Sequence, residues 1–117
     1  MATMYGIQVY EILDNGDLLN AIYTNSRQLY MDKYAIDTEI ATKVVPDGKG
    51  IEGQYNCRFI EWANPELEFC SLTITKKGSA YKFEWSSKSA VFEGIGLMTG
   101  KNHIAVSYIQ IIPTENV

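Results

Sequence analysis

The residues of this chain that could do chemistry are few, and their spacing narrows them further. The one histidine is His103, and the two cysteines are Cys57 and Cys70. These three have none of the close, regular spacings that mark zinc sites, so no metal is expected. A Ser–His or Cys–His nucleophile pair has no local sequence to support it either. Residues 94–101, GIGLMTGK, come near two phosphate-binding patterns and meet neither. A phosphate loop needs glycine where Ile95 stands and Ser or Thr where Asn102 stands. A dinucleotide fingerprint needs glycine in place of Thr99 and a helix afterwards, whereas 104–112 has the β-branched content of a strand. No cofactor is therefore expected.

Carboxylates and aromatic rings remain. Glu61, Glu66 and Glu68 surround a turn and read as a solvated acidic loop. Glu11 and Glu93 stand inside apolar, strand-like runs. A carboxylate directed into a barrel would need a partner, for which Arg58 is the natural candidate. Burial would raise its proton affinity enough for acid–base work or for gripping a polar ligand group. The ordinary expectation is that both alternate outward. Tyr55, Tyr81, Phe83 and Trp85 fall on one predicted face, which serves either as core or as the wall of a ligand cavity.

The elements that position these residues must fit within a single domain, 1–117. That length buries enough surface to stand without a disulfide or metal staple. Net charge is −4, with 14 acidic and 10 basic residues and no basic run. Binding to nucleic acid or to an anionic membrane surface, each of which draws on Lys and Arg, is thereby disfavoured. No apolar stretch is long enough for a membrane-spanning helix, and residues 1–6 lack the basic flank and apolar run of a secretory leader. A cytoplasmic location is the expectation, with Cys57 and Cys70 as free buried thiols and a disulfide between them as the alternative.

Residues 6–13 and 18–25 flank Asn15-Gly16, a strong hairpin signal because both residues tolerate positive φ. This pairs Leu13 with Leu18 and Val9 with Ile22. Residues 26–34 suit either a short helix capped by Ser26 or an extended crossover. Residues 39–45 alternate as a strand and end in the turn cluster 46–50. Strands 54–62 and 67–75 turn about Asn64-Pro65, placing Cys57 opposite Cys70 and Tyr55 opposite Leu72. A turn at Lys77-Gly78 pairs Ile74 with Tyr81, Leu72 with Phe83 and Cys70 with Trp85. Two turns placed independently thus give one continuous apolar face across three strands, which a slip of one residue would invert. The last hairpin lies in 92–108. Centring its turn between Gly100 and Lys101 puts Ile95, Leu97, Ile104 and Val106, with Glu93 and Tyr108, on one side. Gly94, Gly96, Ala105 and Ser107 then fall on the other. Either side could face inward; the bulky side is favoured, and the small side would leave room for a ligand.

About eight short strands in nearly unbroken hairpin order predict an all-β antiparallel meander closing into a small barrel. The segments 10–23 (YEILDNGDLLNAIY), 50–55 (GIEGQY), 81–85 (YKFEW) and 92–108 resemble the strands of avidin-like and lipocalin-like (calycin-type) bacterial barrels. The resemblance implies an up-and-down barrel that often holds a small ligand at one end. The polar residues with which avidins hold biotin have no match here, so biotin is not implied. The expected function is binding of a small apolar or amphipathic molecule in the barrel mouth. Tyr55, Tyr81, Phe83, Trp85, Glu93 and Tyr108 are the candidate ligand-binding residues, none of them catalytic. One alternative is a cyclase or isomerase that directs Glu93, Glu11 or Arg58 into the same cavity. The other is a filled barrel that associates through the flat face Gly94/Gly96/Ala105/Ser107, which leaves a homo-oligomer open. A void or a packed interior separates these readings.

Overall fold

The computed structural model describes residues 3–60, 68–88 and 90–111. Among them eight antiparallel strands follow one another in sequence order around a closed barrel. They are β1 (Tyr5–Leu13), β2 (Leu18–Asn25), β3 (Asp37–Lys43), β4 (Gly53–Ile60), β5 (Glu68–Lys77), β6 (Ala80–Ser86), β7 (Val91–Gly100) and β8 (His103–Ile111). The predicted all-β meander barrel is thus the fold. Closure comes from β1 pairing with β8, where Val9 meets Ala105 and Gly6 meets Tyr108. No helix among the described residues is long and apolar enough to cross a membrane.

The first hairpin has the predicted register, Leu13 with Leu18 and Val9 with Ile22. Its turn places Asp14, Asn15 and Gly16 all at positive φ. Gly16 is irreplaceable there, because a Cβ would run into the Gly50 backbone. Residues 26–34 do contain a short helix, α1 (Arg27–Met31), with Ser26 at its N-cap position but without a capping hydrogen bond from the Ser26 side chain. The Asn25 side chain accepts from the Arg27 N–H at 3.0 Å, while Ser26 Oγ accepts from the Tyr5 N–H at 3.1 Å and ties the helix to β1.

The pairing of β4 with β5 places Cys57 opposite Cys70 and Tyr55 opposite Leu72, as predicted, and both cysteines are free thiols. The Asn64-Pro65 turn and the side chains of Glu61, Glu66 and Glu68 lie outside the described residues. Between β5 and β6 the partners are displaced by two residues from the prediction, so Leu72 meets Trp85 and Ile74 meets Phe83. A displacement of two preserves facing, and the apolar face survives.

The last hairpin differs more. A bulge between Met98 and Gly100 moves the register by one, pairing Leu97 with Ala105 and Gly94 with Tyr108. An odd shift separates residues that were expected to share a side. From β7 the small residues Gly94 and Gly96 face inward, and from β8 the bulky Ile104, Val106 and Tyr108 do. Glu93 is exposed, and the flat Gly/Ala/Ser face does not exist as one surface. The room left by the glycines is taken by rings. A Cβ on Gly96 would stand 2.9 Å from Phe83 Cε1, and one on Gly94 would stand 3.1 Å from Trp85 Cζ3.

The two ends of the barrel are built differently. At one end Tyr55, 1% exposed, directs its hydroxyl at the carbonyls of Gly16 (2.6 Å) and Ile51 (2.8 Å). Burial first, then the nearby Asp17 charge, raises the proton affinity of that phenol. Beside it the buried Lys43 donates to Asp47 Oδ1 (3.0 Å) and to the Gly50 carbonyl (2.6 Å), with Asp17 at 3.8 Å. Ring, turn and ion pair together plug this end. The other end is open.

Candidate functional site

The open end holds a cavity of about 430 Å³, within the range of small-molecule sites. Its wall is aromatic: Tyr23 from β2, Phe59 from β4, Trp85 from β6, Phe92 from β7 and Tyr108 from β8. These rings continue a stack that starts in the core. Tyr10 stacks on Phe83 at 5.5 Å with 25° between the ring planes, and Phe83 stacks on Trp85 at 5.5 Å with 28° between them. Tyr108 then meets Trp85 edge-on at 5.8 Å and Phe92 at 6.0 Å. Rings locked to one another in this way present a pre-formed surface, which an entering ligand need not order. Gln8, Asn25, Arg27 and Gln110 add polar groups to the lining.

Glu39 of β3, 2% exposed, also lines the cavity. Gln8 Nε2 donates to its Oε1 at 2.6 Å, and the Tyr10 hydroxyl donates to its Oε2 at 2.7 Å. Burial raises the proton affinity of this carboxyl, and these hydrogen bonds offset the rise in part. Tyr10 is raised well above its ordinary value, by burial and then by Glu39. Cys57 is raised as well, first by its contact with Cys70 and then by burial. The indole N–H of Trp85 lies beside the Glu39 carboxyl but outside hydrogen-bonding geometry, and this buried donor is without a partner.

Of the residues singled out from the sequence, Trp85 and Tyr108 line the cavity. Phe83 is fully buried beneath Trp85, and Tyr55 and the half-buried Tyr81 lie toward the plugged end. Glu11, Arg58 and Glu93 all face solvent, so the charged groups on which a cyclase or isomerase would draw are outside the barrel. His103 is exposed at its turn. No group of three or more His, Cys, Asp or Glu among the described residues is placed to hold a metal ion.

Glu39 and Gln8 were not legible as site residues from strand alternation. The missing signal was register. Glu39 pairs with Ala21 on one side and Phe59 on the other, while Ala41 pairs with Leu19 and Cys57. Residues directly opposite on neighbouring strands share a face, so these apolar neighbours carry Glu39 inward with them.

Fold and site together define a small closed β-barrel, plugged at one end and holding an aromatic, carboxyl-floored cavity at the other. The chain matches no family model, no curated protein and no solved structure.

Proposed function

We propose that this protein binds a small amphipathic molecule in the open mouth of its barrel. The observation that carries the reading is the cavity itself. Ring walls supply apolar burial, and a few buried polar groups at the floor fix the orientation, which is the usual composition of a small-molecule site. Trp85 and Tyr108 are the proposed wall residues, and Glu39 and Gln8 the polar ones. Kinship with avidin-like and lipocalin-like barrels is part of this reading, supported by strand order and by a cavity at one end.

The test is titration with small aromatic and alkyl compounds, followed by tryptophan fluorescence, since Trp85 lines the cavity. Binding that Ala90→Phe at the rim abolishes, and that Lys82→Ala on the outer wall leaves intact, is the expected result. Silence across the panel, or binding indifferent to Ala90→Phe, overturns the reading.

A further inference from the structure

The surroundings of Glu39 are made for an anion, and among the described residues no cation is paired with it, although Arg27 lines the same cavity. Two neighbours, Gln8 and Tyr10, already donate to its oxygens. A third, the Trp85 indole N–H, stands next to it with a hydrogen to give, and the Cys57 thiol lies beside it in contact with Cys70. A protonated Glu39 would bring one more donor into a shell of donors, and an ionised one would satisfy them. Yet among the described residues no Lys or Arg forms an ion pair with Glu39. Lys43 faces the same interior but is committed to Asp17, Asp47 and Gly50 at the plugged end. A buried carboxylate without a counter-charge is costly, and a partner that arrives in the cavity removes that cost. The walls suit such a partner, because the faces of Trp, Tyr and Phe rings attract cations.

We propose that the ligand is a monocationic amine on an apolar body, its ammonium seated at Glu39 and its body against the rings of Phe59, Trp85 and Tyr108. This rests on the mouth being a ligand site. At any pH where Glu39 is protonated in the free protein, seating the ammonium ionises it and releases its proton to solvent. The ionised carboxylate is also a stronger acceptor for the unpartnered indole N–H of Trp85. The other titratable groups against Glu39 are Tyr10 and Cys57, which stay protonated through the neutral range. Arg27, Cys70, Tyr23 and Tyr108 line the same cavity, Asp37 lies on the same face of β3, and His103 faces outward.

The experiment compares 2-phenylethylamine with two neutral compounds of similar shape, 2-phenylethanol and 2-phenylacetamide, by calorimetry on the intact protein. The amine is expected to bind at least about tenfold more tightly than either. Its affinity should rise with pH up to tenfold per unit while Glu39 remains protonated in the free protein, then level off. Calorimetry in buffers of different ionisation enthalpy should detect the proton released. Glu39→Gln should weaken the amine about a hundredfold and change the neutral compounds by less than about threefold. If a neutral compound binds as tightly as the amine, or if amine affinity is flat in pH with no proton released, the amine assignment fails while the mouth remains a ligand site. The wild-type pH series decides this even if Glu39→Gln does not fold. If none of the three binds, the ligand-site reading itself fails.

Discussion

Replacing Glu39 by glutamine should make the protein more stable, and by an amount that depends on pH. Burial raises the proton affinity of Glu39 in the folded chain above its ordinary 4.5. Above that pH the folded state holds a proton that the unfolded state has released. Stability present below pH 4.5 is therefore lost as pH rises through the interval between the two values, and is constant above it. Each pH unit by which the folded value exceeds the ordinary one is worth about 1.4 kcal/mol. Glutamine never ionises and escapes this loss. Against that, its amide brings two hydrogens to oxygen sites where Gln8 and Tyr10 both donate, which forfeits about 1 kcal/mol. The net expectation is a variant within about 1 kcal/mol of the parent at pH 4 whose relative stability rises with pH and then levels off. Urea unfolding of both proteins from pH 4 to 8 measures it. A difference that does not change with pH would show that Glu39 titrates alike in the folded and unfolded chains. A variant that grows weaker as pH rises would show a carboxylate stabilised by its donors, and would refute the burial argument.

Gly96→Ala should cost about 1–3 kcal/mol in urea, because its Cβ would press on Phe83, Ile104 and Val106 within the closed core; an unchanged midpoint would mean that those side chains can retreat. Tyr55→Phe removes the hydroxyl shared by the Gly16 and Ile51 carbonyls and should cost about 1–2 kcal/mol, with faster amide exchange in the plugged end. Lys43→Met leaves the Gly50 carbonyl and two aspartates without their buried cation, for a loss of about 1–3 kcal/mol. The same variant should flatten the acid limb of the stability curve. Asp47 is held below its ordinary 3.8 by the Lys49 N–H and then by Lys43, so its stabilising contribution is present above that value and lost as pH falls.

Most of the architecture was legible because hairpin turns announce themselves. Asn15-Gly16 fixed the first register, and the face running through Leu72, Ile74, Phe83 and Trp85 withstood a misplaced turn because the displacement was even. The bulge at Met98/Gly100 was not legible. It leaves no mark in composition, and a single inserted residue sent Glu93 and Tyr108 to opposite faces. The site was the least legible part, for a related reason. β3 turns Asp37, Glu39 and Lys43 inward and leaves Ile40 at the surface, opposite to what its own alternation of polarity suggests. Its facing is dictated by β2 and β4, so the strand that supplies the carboxyl can be read only through its neighbours.

The seam between β1 and β8 also sets the order of events in folding. The residues it joins are roughly a hundred apart in the chain, so this pairing is among the slowest to find and draws on every hairpin between. Until it forms, Tyr10 lacks its ring partner Phe83, and the cavity has no Tyr108 wall. Growth of the polypeptide therefore produces seven strands with an open, apolar trough before it produces a vessel. The proposed ligand could bind only with the last strand in place, which would make occupancy of the mouth a direct report on completion of the fold.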